Sequence, residues 1–231
     1  MEAILQSENL KKRYNGREEV LKGISLEFYE NTFSVILGKS GSGKSTLLNI
    51  MSGLIKPTSG TVRYDGREIT GMPDRDLAVI KRKDFGYVFQ NYLLIGNLNA
   101  EENIGIGAPD RDAALSRDRL AEMLDIGDIL KKFPSQLSAG QQQRVAIARA
   151  VIKKPKVLFC DEATGALDET NSKKVVELLH YVKNSFGIAV VFITHNPSIA
   201  KTADRIVTIK DGQLSRDEQN PDPIAAAQMS W

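Results

Sequence analysis

Gly38-Lys39-Ser40-Gly41-Ser42-Gly43-Lys44-Ser45-Thr46 decides the fold. It fits the pattern G-x-x-x-x-G-K-[ST], and its flanks are those the pattern needs. Thr32–Leu37 is short, apolar and β-branched, and reads as a buried strand. Leu47-Leu48-Asn49-Ile50-Met51 opens a helix. A strand, a glycine-rich loop and a helix in that order form a phosphate-binding unit. Gly38, Gly41 and Gly43 let the backbone turn its N–H groups toward phosphate oxygens. The helix beginning near Lys44 adds unpaired N–H groups and the positive end of its dipole. Lys44 brings a charge for the β/γ-phosphates, and Ser45 a hydroxyl for Mg²⁺. The chain is expected to bind a nucleoside triphosphate.

The 231 residues suffice for one substantial core with a small satellite. With 42% apolar and 26% charged residues the composition is ordinarily globular. A net charge of +2 gives no global electrostatic case for nucleic acid, so none is expected as a partner. Short basic clusters such as Lys81-Arg82-Lys83 and Lys153-Lys154 read as solvated faces, with anionic headgroups as the sharper alternative. Cys160 is the single cysteine; it excludes an internal disulfide and fits a reducing compartment. No secretory signal is evident, and no apolar run approaches the ~18 residues needed to span a bilayer. A cytoplasmic protein is expected, with any membrane part supplied by another subunit.

Outward from the loop, apolar strands alternate with helices, which predicts a mainly parallel sheet covered on both faces. Residues 3–30 alternate apolar and polar around Asn15-Gly16, the mark of an antiparallel flank. From Asn97 to Phe133 acidic residues and Leu, Ile and Met recur at helical spacing, so a helical insertion is expected over about 91–153. One domain over 1–216 and a C-terminal tail over 217–231 follow. The tail is expected to be flexible, with docking through Ile224, Met229 or Trp231 as the alternative.

Four polar outcrops each follow a buried strand: the phosphate loop, Gln90, Asp161-Glu162 and His195. Ligands of parallel sheets bind outside the carboxyl ends of the strands, so these four are expected to converge. Asp161 is placed near Mg²⁺, and Glu162 one residue further out polarises the attacking water as general base. Gln90 is suited to touching both metal and water, and His195 to bonding the γ-phosphate. Leu137-Ser138-Ala139-Gly140-Gln141 opens another helix. Ser138 there is either a plain N-cap or part of a second anion site serving another molecule's nucleotide.

In order and spacing these motifs resemble an ATP-binding cassette ATPase over about residues 3–215. Within that family the chain looks most like the MacB/LolD/FtsE-type subgroup, which serves macrolide or antimicrobial-peptide export, lipoprotein release and cell division. The resemblance implies a P-loop NTPase fold and a transport-coupled, Mg²⁺-dependent ATPase, peripheral on the cytoplasmic face of the membrane. It implies that Tyr14 stacks on adenine, and that residues 38–46 hold the phosphates. Ser138 and Gly140 would reach the γ-phosphate of a second copy in a head-to-tail dimer, and Asp168 would join the two sites. About Tyr92–Asn103 would face a permease subunit. The work would be export or extraction of peptides, lipoproteins or amphipathic drugs. The alternative is a non-transport ATPase driving an FtsX-like membrane protein that regulates cell-wall hydrolases or antibiotic sensing. Two departures stand out: Ala139 in place of a commoner glycine, and Ala163 in place of a frequent proline.

Overall fold

The computed structural model describes residues 3–16, 18–108 and 115–230. Strand β1 (Leu5–Arg13) turns into β2 (Glu19–Phe28) through Asn15 and Gly16, both at positive φ, 48° and 70°. Such a pair matches the right-handed twist of the flanking strands. β3 (Phe33–Leu37) runs into the phosphate loop and α1 (Lys44–Met51). β4 (Ser59–Tyr64) and β5 (Arg67–Glu68) form a second hairpin over Asp65-Gly66, again at positive φ. Then come α2 (Asp74–Asp84) and β6 (Phe85–Phe89).

The predicted helical insertion contains α3 (Ala100–Ile106), α4 (Arg117–Met123) and α5 (Ala139–Val151); residues 109–114 lie outside the described residues. The chain continues through β7 (Val157–Asp161), α6 (Glu169–Phe186), β8 (Ala189–Thr194), α7 (Pro197–Ala200), β9 (Arg205–Lys210) and β10 (Gln213–Gln219).

One sheet is antiparallel, in the order β2-β1-β4-β5. The other runs β10-β9-β3-β8-β7-β6, parallel throughout except for β10. Adjacent residues of its central strands point to opposite faces, and both faces are buried. Ile36, Val157, Phe159, Val191 and Ile193 pack with α1 and the antiparallel sheet. Val35, Leu158, Cys160, Val190 and Phe192 pack with α5 and α6. That is why these strands read as unbroken apolar runs. Cys160 is an inert core residue, since burial holds its thiol well above the usual range.

The expectation of a flexible tail is corrected. Residues 217–219 continue β10, so a boundary at 216 falls inside a strand. Beyond it Asn220 donates to the carbonyls of Lys201 and Ala203, and Ile224 N–H to the Lys201 carbonyl. Ala226 and Met229 are 7% and 2% exposed in the main core. The docking alternative thus holds at Ile224 and Met229, while Ala226 carried no signal, because a docked segment needs only a few apolar side chains at irregular spacing. Trp231 lies outside the described residues.

His180, on α6, takes a structural place. Its ring stacks on Phe33 at 4.1 Å between centroids, and Nε2 lies 3.2 Å from Thr202 Oγ1. Burial first, and Lys183 second, push its pKa down to about 4. Between that value and the unfolded histidine pKa near 6.5, the unfolded chain binds the extra proton, so stability falls as pH drops through this window. The loss should reach about 2–3 kcal/mol. Melting temperatures from pH 7 to 4.5 should therefore fall less steeply in His180→Phe, which keeps the stack; equal slopes would remove His180 as the cause.

Candidate nucleotide site

The strand order puts the four outcrops side by side. β3, β8, β7 and β6 are consecutive parallel neighbours, and each ends at one of them. The phosphate loop follows β3, His195 follows β8, Asp161 ends β7 with Glu162 next to it, and Gln90 follows β6.

Gly43, the N-cap of α1, sits at φ 100°, a region that side-chain-bearing residues avoid. A Cβ there would also lie 2.8 Å from Leu21 Cδ2 and 2.9 Å from the Val20 carbonyl oxygen. The loop is thus pressed against β2. The β9–β10 turn closes the same contact: Gly212 N–H donates to Ser42 O at 3.2 Å, and Lys22 N–H to Gly212 O at 2.8 Å. Lys44 is 4% exposed, and its Nζ donates to the Gly38 and Lys39 carbonyls at 2.9 Å each. Lys39, Ser40 and Gly41 are exposed at the loop's crown, with Thr46 half-buried on α1.

Ser45 Oγ donates to Asp161 Oδ1 at 3.0 Å across 116 residues of sequence. Burial, and next the Glu162 charge, raise the Asp161 pKa, against the Ser45 hydrogen bond and the Lys44 charge. Glu162 is held at φ 47°, a strained value for a non-glycine residue. Its N–H donates to Ile193 O at 3.1 Å and its carbonyl accepts from Gly165 N–H at 2.9 Å, so β8 and the turn after β7 both fix it. Glu162 Oε1 lies 3.5 Å from His195 Nδ1, whose ring is 65% exposed. Gln90 is exposed next to Gly165, where a Cβ would come within 3.0 Å of its Nε2.

A divalent cation fits this donor set. The described residues hold no cluster of three His, Cys, Asp or Glu side chains able to bind a metal by themselves. A serine hydroxyl beside one desolvated carboxylate suits an octahedral ion that takes its other ligands from phosphate and water. Ser42 Oγ is buried without a protein partner, which also fits a polar ligand at the loop.

Ser138, Gly140 and Asp168 form a second group, at the N-termini of α5 and α6. Ser138 makes a full capping box: Gln141 N–H donates to its Oγ at 3.3 Å, and Ser138 N–H to Gln141 Oε1 at 2.9 Å. Asp168 caps α6, accepting from Asn171 N–H and Nδ2 at 2.8 Å each, and these bonds lower its pKa. Asn171 is the residue that sequence reasoning missed. It ties Asp168 to Gly140, where a Cβ would lie 2.9 Å from Asn171 Oδ1. The only available signal was its position three residues after an N-cap. Tyr14, 42% exposed beyond β1, has Lys12 Nζ 5.0 Å from its ring centroid.

The family model "ABC transporter" matches residues 21–165. The MG065 homolog of Mycoplasma pneumoniae is 42% identical over 215 residues, covering 92% of this chain and 46% of that protein. The macrolide export ATP-binding/permease protein MacB of Escherichia coli is 39% identical over 225 residues, covering 94% of this chain and 35% of MacB. The chain thus spans less than half the length of these relatives. The dimeric structure of MJ0796, a bacterial ABC transporter cassette, superposes with TM-score 0.84 at 38% identity, covering 94% of this chain and 98% of that one. A second MJ0796 dimer, in a post-hydrolysis state with ADP and Pi, superposes with TM-score 0.83.

Proposed function

The chain belongs to the ABC transporter family and has its ATPase cassette fold, and from that premise we propose that it hydrolyses ATP as a head-to-tail dimer powering a separate membrane permease. The observation that carries the reading is the row of four adjacent parallel strand ends bearing phosphate loop, histidine, paired carboxylates and glutamine.

In this reading Lys44 and the loop N–H groups orient the β- and γ-phosphates, and Tyr14 supports the base. Ser45 and Asp161, with Gln90, hold Mg²⁺, which when bound neutralises charge on the phosphate oxygens. Glu162 accepts a proton from the attacking water, and His195 beside it donates to the γ-phosphate. Ser138 and Gly140 face the nucleotide of the second copy; the dimeric MJ0796 cassettes, at 38% and 37% identity, support that pairing. Within the working unit, about 91–153 is the inserted arm.

No helix of the described residues is long and apolar enough to cross a membrane. The proposed permease contributes the membrane-spanning part and holds this chain at the cytoplasmic face. Exposed Leu93 and Ile95 support the contact at about Tyr92–Asn103. Buried Asn103 braces that stretch by bonding Ile95 N–H and the carbonyls of Ile95, Leu98 and Asn99. The proposed work is export or extraction of peptides, lipoproteins or amphipathic drugs, and likeness to MacB, named for macrolide export, supports the last of these. The test is a pull-down from native membranes with Glu162→Gln and ATP. Recovery of an integral membrane protein is expected, and soluble partners alone would overturn the membrane role. Co-purification of a wall hydrolase would favour the signalling ATPase instead.

A further inference from the structure

Helix α5 carries Ser138 and Gly140 at one end and Arg149 near the other. The Arg149 guanidinium donates from Nη1 to Leu93 O at 2.6 Å and from Nη2 to Tyr92 O at 2.7 Å. Those carbonyls follow Gln90 by two and three residues. Tyr92 and Leu93 are consecutive non-glycine residues at positive φ, 56° and 47°. Two neighbouring left-handed residues are costly, and persist where the surroundings over-determine them. Here the planar fork of one arginine spans both carbonyls, a geometry lysine cannot copy. Burial lowers the Arg149 pKa, so its charge is held in a poorly solvated position. On its backbone side Arg149 is equally fixed, since a Cβ on Gly107 would lie 1.9 Å from the Arg149 carbonyl oxygen.

We infer that Arg149 is a positioning residue, which fixes the Gln90 loop to α5 and so ties the chain's own hydrolytic site to the end of the helix that meets its partner's nucleotide. The inference rests on the dimeric ATPase reading above. An α-helix moves as a rod, so a displacement at Ser138–Gly140 is delivered at Arg149, and through the two carbonyls to Gln90. Gln90 in turn lies against Gly165, whose N–H bonds the Glu162 carbonyl.

The experiment measures ATP affinity and steady-state hydrolysis of the full chain for wild type, Arg149→Met, Gln90→Ala and the double variant. Arg149→Met keeps the aliphatic stem, and melting temperatures identify variants that fold. The expected result is unchanged ATP affinity within about twofold and a roughly 10- to 100-fold fall in kcat, the scale of a misplaced catalytic group. The double variant should be no slower than the worse single one, because both remove the same positioning. Arg149→Lys, able to bond one carbonyl, should fall between wild type and Arg149→Met; it also serves if Arg149→Met fails to fold. Near-wild-type kcat in Arg149→Met, or losses that multiply with Gln90→Ala, would overturn the inference. A wild-type chain without ATPase activity would instead overturn the functional reading beneath it.

Discussion

Glu162→Gln should bind ATP, stop hydrolysing it, and accumulate as a dimer. A general base contributes about 10²- to 10⁴-fold, so turnover should fall by at least two orders of magnitude. The change is close to isosteric, and the backbone bonds to Ile193 and Gly165 that hold position 162 at φ 47° do not involve its side chain. The phosphate loop, Ser45 and Asp161 are untouched, so affinity should survive. With opening no longer driven by hydrolysis, two chains sandwiching two ATP molecules should stay closed. Size-exclusion chromatography with light scattering, in ATP and Mg²⁺, should show twice the mass of the chain. A monomer under those conditions would sink the assignment of Ser138 and Gly140 to a shared site.

Lys44→Ala should be nearly as severe, at the binding step. The ammonium group does two things in the folded chain. It holds the Gly38 and Lys39 carbonyls, and it presents a desolvated positive charge at the loop. Hydrogen bonds to a charged group contribute about 1.5–3 kcal/mol each, so losing two to phosphate oxygens weakens ATP by about 10²-fold or more. The two carbonyls lose their partner as well, loosening the loop that remains. Titration calorimetry should find no measurable binding at micromolar ATP. Near-normal affinity would contradict the role of the loop itself.

What could be read in advance was whatever short-range chemistry enforces. A phosphate loop needs its glycines in one local run, and buried parallel strands need continuous apolar residues. Hence β3, β7 and β8, and the polar residues at their ends, stood out. Less legible were contacts made across long separations by ordinary residues. Arg149 meets carbonyls 56 and 57 residues away, and nothing near it in sequence marks the partner. Asn171 looked like any polar residue at a helix start until Gly140 was packed against it. The docked tail was legible only as the alternative, with Met229 named and Ala226 not, because both find a surface that α6 supplies rather than one their own segment implies.

The turn at Asp211-Gly212 carries a lesson for anyone engineering this chain. Tight surface turns between adjacent strands, rich in aspartate and glycine, are where epitope tags, fluorescent reporters and new termini are ordinarily placed. This one is closed on the underside. A Cβ at Gly212 would sit 2.4 Å from the Val20 carbonyl oxygen, and its peptide groups bond both the phosphate loop and β2. Splicing a reporter there would act on nucleotide affinity before anything else. A graft at Asp65-Gly66, where Gly66 has open space around it, would be silent by comparison.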